Sequence, residues 1–276
     1  MSLRLKECVE LITKGTTPTS IGGGFTSSGI NFLKVEGISE TGQFITEKFQ
    51  YIDENTHNEL LRRSQIQELD ILFSIAGTIG RTAIATKDIL PCNTNQAVAI
   101  LRPLKEKVDP YFLLYCLKDK KRLNKAISNV VQSVQSNLSL SEIGNIEIPE
   151  YSLETQKKIS EILLSLDNKI ILNQDKKNNL EEIVRTLFKS WFIDFDPLTE
   201  KLENKNNKFT NEIKELFPDC YEKSEIGEIP KGWHLTSLGE ILTFIGSGKR
   251  PKGGSSISEK QVPSIGAENI NFLGNY

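Results

Sequence analysis

An octapeptide close to the C-terminal end, Thr243-Phe-Ile-Gly-Ser-Gly-Lys-Arg250, has the outline of a phosphate-binding loop. That chemistry needs glycine at the first position, so that backbone amides can close on the phosphates, and serine or threonine at the last, to meet magnesium. Thr243 and Arg250 hold those positions here, which excludes it. The two histidines, His57 and His234, belong to no metal-ligand pattern and are read as ordinary surface or half-buried side chains. Pro218-Asp219 is not followed by the acid-x-Lys string of many metal-dependent nucleases. No Asn-Pro-Pro-Tyr or Asp-Pro-Pro-Tyr string is present to hold a flipped adenine. Cys8, Cys92, Cys116 and Cys220 lie far apart with no Cys-x-x-Cys pair, so they read as reduced thiols of a cytoplasmic protein. No catalytic role and no metal site is assigned.

Such negatives carry weight only if the chain folds, and its composition says it does. Its 276 residues are 38% hydrophobic and 25% charged, enough for one long domain or two shorter ones. The 34 basic and 36 acidic residues leave a net charge of −2. That excludes a uniformly basic protein that coats nucleic acid but allows a local basic face. No apolar run approaches the ~18–20 residues of a membrane helix, and no secretory leader opens the chain, so no membrane partner is expected.

Residues 1–150 read as an α+β domain. Apolar runs at Ile30–Ile38, Asp70–Ala76 and Ala97–Leu101 are separated by Gly, Thr, Asn and Pro, which is strand-and-turn punctuation. Helical patterns occur near Asp53–Arg63 and from Pro110 to about Asn129, the second with Asp109 as N-cap and Pro110 in the first turn. After Pro149 the pattern changes. Between Leu153 and Phe192 there is no proline or glycine, and apolar residues recur every seven. Ile159, Leu166, Leu180 and Leu187 make one row and Leu163, Ile170, Val184 and Trp191 the other, interrupted by Asn173 and Lys177. This is the seam of a coiled coil on a helix of ~60 Å, with the polar breaks available to fix register. A helix lying on its own domain is the alternative. Residues 151–196 are assigned to this helix, and 197–232, with Asn-Lys repeats followed by Pro218, Gly227, Pro230 and Gly232, to a linker.

The C-terminal segment repeats the N-terminal one. Leu5, Glu7, Ile12, Gly15 and Pro18 recur as Leu238, Glu240, Ile245, Gly248 and Pro251. Glu36, Ile38 and Gly42 then recur as Glu268, Ile270 and Gly274 after a one-residue slip. Residues 233–276 are therefore read as the incomplete start of a second domain of the same kind.

A domain and a long seam helix, repeated at this interval, resemble the specificity subunit of type I restriction–modification enzymes. Local strings carry the resemblance: Asp70-Ile-Leu-Phe-Ser-Ile-Ala-Gly77 with Ile79-Gly-Arg81, Asn93-Thr-Asn-Gln96-Ala-Val-Ala, Ile148-Pro149 followed by Glu154-Thr-Gln156-Lys-Lys-Ile159, and Glu225-Ile-Gly-Glu-Ile-Pro-Lys-Gly-Trp233. Each is weak alone, but their order and spacing are specific and cover nearly the whole chain. The resemblance implies a non-catalytic subunit whose recognition domains each read half of a bipartite double-stranded DNA target. It implies conserved helices that space the domains and dock methyltransferase subunits, with restriction subunits joining the complex. S-adenosylmethionine, ATP and Mg are then expected in partner subunits and no cofactor in this chain. The second domain and second helix of the family are missing here, so the seam is expected to pair with a second copy as a homodimer. A coiled-coil interaction module without a DNA role, such as an inactive cassette remnant, is the alternative.

Given DNA, base edges are read by Arg, Lys, Asn, Gln, Ser and Thr. Four polar loops supply these types: Lys14, Thr16, Thr17, Thr19 and Ser20; Ser74, Thr78 and Arg81; Asn93, Asn95 and Gln96; and Gln132, Gln135 and Asn137. Lys121, in a run with Lys118, Lys120, Arg122 and Lys125, is expected to meet phosphates. The subunit interface is assigned to the seam from Ile159 to Trp191.

Overall fold

In the computed structural model residues 2–128, 137–204 and 208–248 are described. In chain order the first part runs β1 (Ser2–Arg4), α1 (Leu5–Cys8), β2 (Val9–Lys14), β3 (Ile30–Leu33), β4 (Gln50–Ile52), β5 (Ile71–Ser74), β6 (Thr82–Ile84), β7 (Cys92–Thr94), β8 (Val98–Pro103), α2 (Pro110–Lys118), α3 (Lys120–Ser128), α4 (Leu140–Gly144) and β9 (Glu147–Pro149). The helix α5 (Leu153–Phe192) follows, then α6 (Asp196–Leu202), α7 (Asn211–Glu215), β10 (Tyr221–Ser224), β11 (Gly227–Pro230) and α8 (Leu238–Ile241). The chain divides into two compact units, 1–178 and 179–276.

The first unit is α+β, built on an antiparallel sheet in the order β2-β8-β5-β6. Its inner strands are apolar on both faces, which is why both faces are covered. Ile71, Phe73, Ala99 and Leu101 point into a core shared with Phe112, Leu113 and Leu117 of α2. Leu72, Val98 and Ile100 point the other way, against Leu33, Ile38, Ile89 and Cys92. A second sheet, β4-β3-β7, has β3 parallel to β7 and antiparallel to β4. β1 pairs with β9, so the start and end of the first domain lie side by side just before α5.

Two helical expectations change in detail. The pattern from Pro110 does begin with Asp109 capping the Phe112 amide (2.9 Å) and proline in the first turn. It breaks, however, at Asp119, which turns to an extended conformation (ψ 105°) and caps Lys121 through its side chain (2.9 Å). The Asp53–Arg63 pattern yields only a π turn at Thr56–Leu60 and a 3₁₀ turn at Arg62–Ser64. There the carbonyls of Leu61 and Ser64 accept from the Asn93 side chain.

The heptad helix, with Asp196 already in α6, runs Leu153–Phe192, inside the assigned 151–196. Its first turns belong to the domain: Gln156 and Ser160 are buried, Ile159 packs on the core, and Asp167 accepts from the Tyr115 hydroxyl (3.0 Å). Further along, Leu166, Ile170, Leu180, Val184 and Leu187 are about half exposed or more, between 48% and 62%. Trp191, assigned to the seam, is half-buried against Phe217 in the second unit.

Residues 197–232, expected as a linker, hold α6, α7 and the β10–β11 hairpin. Pro197 sits in the first turn of α6, and Trp233 stacks on Phe192 and Phe217. Proline and glycine here punctuate a small fold, as they do in turns. The repeat is visible in it: α8 occupies the positions that correspond to α1. Glu7 and Glu240 each bond back to the backbone amide before their helix, at Arg4 and Ser237. The continuation of the repeat from residue 249 lies outside the described residues, as do Gln132 and Gln135.

All four cysteines are free; Cys8, Cys92 and Cys116 are buried and Cys220 is exposed. Burial pushes the Cys92 and Cys116 thiols up to about 12. Among the described residues no helix is long and apolar enough to cross a membrane.

Candidate nucleic-acid interface

Strand direction gathers the polar loops. β2 ends at Lys14 opposite Ala99, β5 ends at Ser74 opposite Val98, and β6 starts at Thr82 opposite Phe73. The loops after β2, before β8 and between β5 and β6 therefore leave the sheet at one end. Main-chain bonds tie them together. Thr16 N donates to Thr94 O (3.1 Å), Ile75 N to Ala97 O (2.8 Å) and Leu138 N to Ile75 O (2.9 Å). The last of these brings exposed Asn137 to the same end.

Gly15 explains how closely the first loop lies on the third. A Cβ there would stand 1.7 Å from the Thr94 carbonyl oxygen and 2.7 Å from that of Asn95. Gly15→Ala therefore forces backbone apart. We expect it to cost about 1–3 kcal/mol, the scale of overpacking. Amide hydrogen exchange at Thr16 should rise above wild type, and an unchanged rate would refute the close-packed mounting.

Lys14, Thr19, Ser20, Thr78, Gln96, Lys121 and Asn137 are exposed, and Thr16, Thr17 and Asn95 half-exposed. Thr17 donates through Oγ1 to Gln96 Oε1 (2.6 Å), coupling the first loop to the third. The Asn95 carboxamide oxygen accepts from Ala97 N (3.2 Å) and shapes the turn into β8.

Three assigned readers face inward instead. Ser74 is fully buried; its hydroxyl donates to Thr78 O (2.5 Å) and accepts from Arg81 N (2.8 Å), closing the β5–β6 turn. The Arg81 guanidinium donates to Ile38 O (2.9 Å), and its Nε is buried. Asn93, also fully buried, donates to Leu61 O (3.1 Å) and Ser64 O (3.0 Å) while accepting from His57 Nδ1 (2.5 Å). Ser74 and Asn93 are buried in holding the loops, while half-buried Arg81 is tied to the Ile38 and Val35 carbonyls through Nη1. In the basic run, Lys118 donates to Thr41 O (2.9 Å) and Arg122 pairs with Asp119 (3.2 Å), while Lys121 is exposed.

Arg62 and Arg63 lie outside the sequence candidates. Both are exposed, and Arg63 Nη2 donates to Thr16 Oγ1 (3.2 Å). The available signal was the Arg-Arg pair at the end of a helical pattern. Among the described residues no cluster of three His, Cys, Asp or Glu side chains is arranged to hold a metal ion.

The sheet end gathers polar loops, and α5 carries exposed apolar side chains. Residues 3–182 match the family model described as the type I restriction modification DNA specificity domain. The chain belongs to that family. It is 32% identical over 202 residues to the type I restriction enzyme MjaIX specificity subunit of Methanocaldococcus jannaschii, covering 72% of this chain and 42% of that protein. It is 29% identical to the putative type I restriction enzyme MjaX specificity subunit of the same organism, covering 95% of this chain and 57% of that one. The chain thus spans about half the length of these relatives. Among solved structures, the HsdS subunit from Thermoanaerobacter tengcongensis aligns with a TM-score of 0.49 at 14% identity, over 76% of this chain and 51% of that one.

Proposed function

We propose that this chain is a non-catalytic DNA-recognition subunit. Its first domain reads one half of a bipartite duplex target with the loops around Lys14–Ser20, Thr78 and Asn95–Gln96. The observation that carries this reading is the convergence of those loops at one end of the β2-β8-β5-β6 sheet. Strands with polar, exposed loop tips suit reading a surface.

The long helix is the docking element. Beside the seam rows, Ile162, Leu172 and Ile183 are also exposed, at 53–63%. An apolar stripe wider than a two-stranded seam favours more than one helical neighbour. We assign one neighbour to α5 of a second copy and the others to methyltransferase subunits. Those would hold S-adenosylmethionine and the target adenine, while restriction subunits would supply ATP- and Mg-dependent cleavage. The complex would act in the cytoplasm. A two-fold axis near Asn173 would set two recognition domains in opposite orientation, so that the target becomes an interrupted palindrome.

Binding of duplex DNA by the full chain, alone and with its methyltransferase partner, tests the first part. Affinity is expected to fall steeply between about 50 and about 200 mM salt and to favour a subset of sequences. Binding to none of a random duplex pool in the presence of the partner would refute recognition.

A further inference from the structure

Arg62 and Arg63 are consecutive exposed residues, and Arg63 stands against the first loop. Among the described residues no carboxylate forms an ion pair with either. Arg63 gives one N–H to the neutral hydroxyl of Thr16, and the rest of its donor fork is unclaimed within the described chain. Exposed Lys14, two residues from Thr16, adds a third positive charge on the same loop.

The backbone that carries the pair is held with unusual care for a surface turn. The carbonyls on either side of it, Leu61 O and Ser64 O, both accept from the buried Asn93 carboxamide (3.1 and 3.0 Å). The Ser64 hydroxyl donates to Leu61 O as well (3.2 Å). Asn93 itself cannot rotate, because His57 Nδ1 donates to its oxygen while both amide hydrogens are spent on the carbonyls. A buried amide with every group satisfied sets one geometry. What that geometry presents is two consecutive exposed arginines, of which Arg63 is linked to the first loop through Thr16.

From this we infer that Arg62 and Arg63 form a phosphate clamp, with Asn93 as its positioning residue. Guanidinium groups match phosphate oxygens in a two-point contact. Contacts of this kind fix register on the duplex and leave sequence to other side chains. Thr17 and Gln96, joined to each other, remain for the bases. The inference rests on the DNA-recognition reading above and assigns its non-specific component to particular residues.

The test is a salt titration of full-length wild type, Arg63→Ala, Arg63→Lys and the double variant Arg62→Ala/Arg63→Ala. Each is measured on a duplex selected from a random pool and on a scrambled duplex of the same length. Each phosphate contact contributes about 0.9 to the slope of log affinity against log salt. Arg63→Ala is expected to lower the slope by about one and the double variant by about two, equally on both duplexes. Arg63→Lys, which keeps the charge, is expected to keep the slope. Melting curves identical to wild type would confirm that these surface changes leave the fold alone. An unchanged slope in the double variant overturns the clamp, and so does a loss confined to the selected duplex, which would make the pair base readers. Absence of binding by wild type would instead defeat the underlying reading and not the clamp in particular.

Discussion

If α5 pairs as proposed, replacing both Leu166 and Leu180 with Asp is expected to convert the dimer to a monomer without unfolding it. In the single chain these side chains are 56% and 52% exposed, so a charge at either position meets water and leaves the cores of both units untouched. In a two-fold pairing of α5 the same positions become a dry seam. A charge placed there without a partner costs several kcal/mol. Every ~1.4 kcal/mol weakens association tenfold, and each substitution occurs in both copies. Association should therefore disappear at micromolar concentration while thermal unfolding of the dilute chain stays as in wild type. Light scattering combined with a melt measures both. A wild-type monomer at tens of micromolar would remove the dimer and with it the palindromic target. A variant that still dimerises would move the interface off the seam.

The second large effect concerns the frame beneath the loops. Asp70, the residue before β5, is completely buried and accepts from Nε and Nη2 of Arg102 on β8, both at 2.8 Å. It also accepts from Gln67 N (2.8 Å). The pairing of Ile71 with Leu101 places the two residues side by side across the central strands. Hydrogen bonding to Asp70 is the main reason that the Arg102 guanidinium is held above its usual value. Removing one member of such a pair strands the other in a poorly solvated site. Asp70→Ala should therefore lose about 3–5 kcal/mol, a large share of the ~5–15 kcal/mol typical of a domain. Glu10, the other carboxylate near Arg102, is exposed and 3.9 Å away, and Glu10→Ala should cost under ~1 kcal/mol. Urea midpoints of the two variants give the comparison directly. Equal shifts would mean that the Asp70 pair is not the stabilising one.

Much of the architecture was legible in the sequence for identifiable reasons. α5 spans Leu153–Phe192 because forty residues there lack proline and glycine and carry a seven-residue apolar repeat. Asp109 and Pro110 announced α2 through local capping chemistry, which needs only neighbouring residues. The loops at one sheet end were legible as polar loops. Which of their side chains face outward was not. Ser74, Arg81 and Asn93 are donors of the right type, but the acceptors of Arg81 and Asn93 lie 29 to 46 residues away. Residue type records the capacity to donate, whereas distant chain decides where the donor points. The same logic hid Arg62 and Arg63, whose setting depends on an asparagine from another strand. Residues 197–232 looked like a linker because their helices and hairpin are each too short to show a period.

The mounting of the first loop has a consequence for how such a protein changes over generations. Thr16 to Thr94, Ile75 to Ala97 and Leu138 to Ile75 are all amide-to-carbonyl contacts, and Gly15 contributes no side chain at all. These ties do not depend on what exposed Thr19 or Thr78 happen to be, and exposed substitutions at such sites typically alter stability by no more than ~0.5 kcal/mol. A new target preference can then arise by exchanging one or two exposed side chains in an unaltered holder, with no intermediate that fails to fold. The molecule works like a key blank: its teeth can be recut freely because the bow and shank are made of backbone.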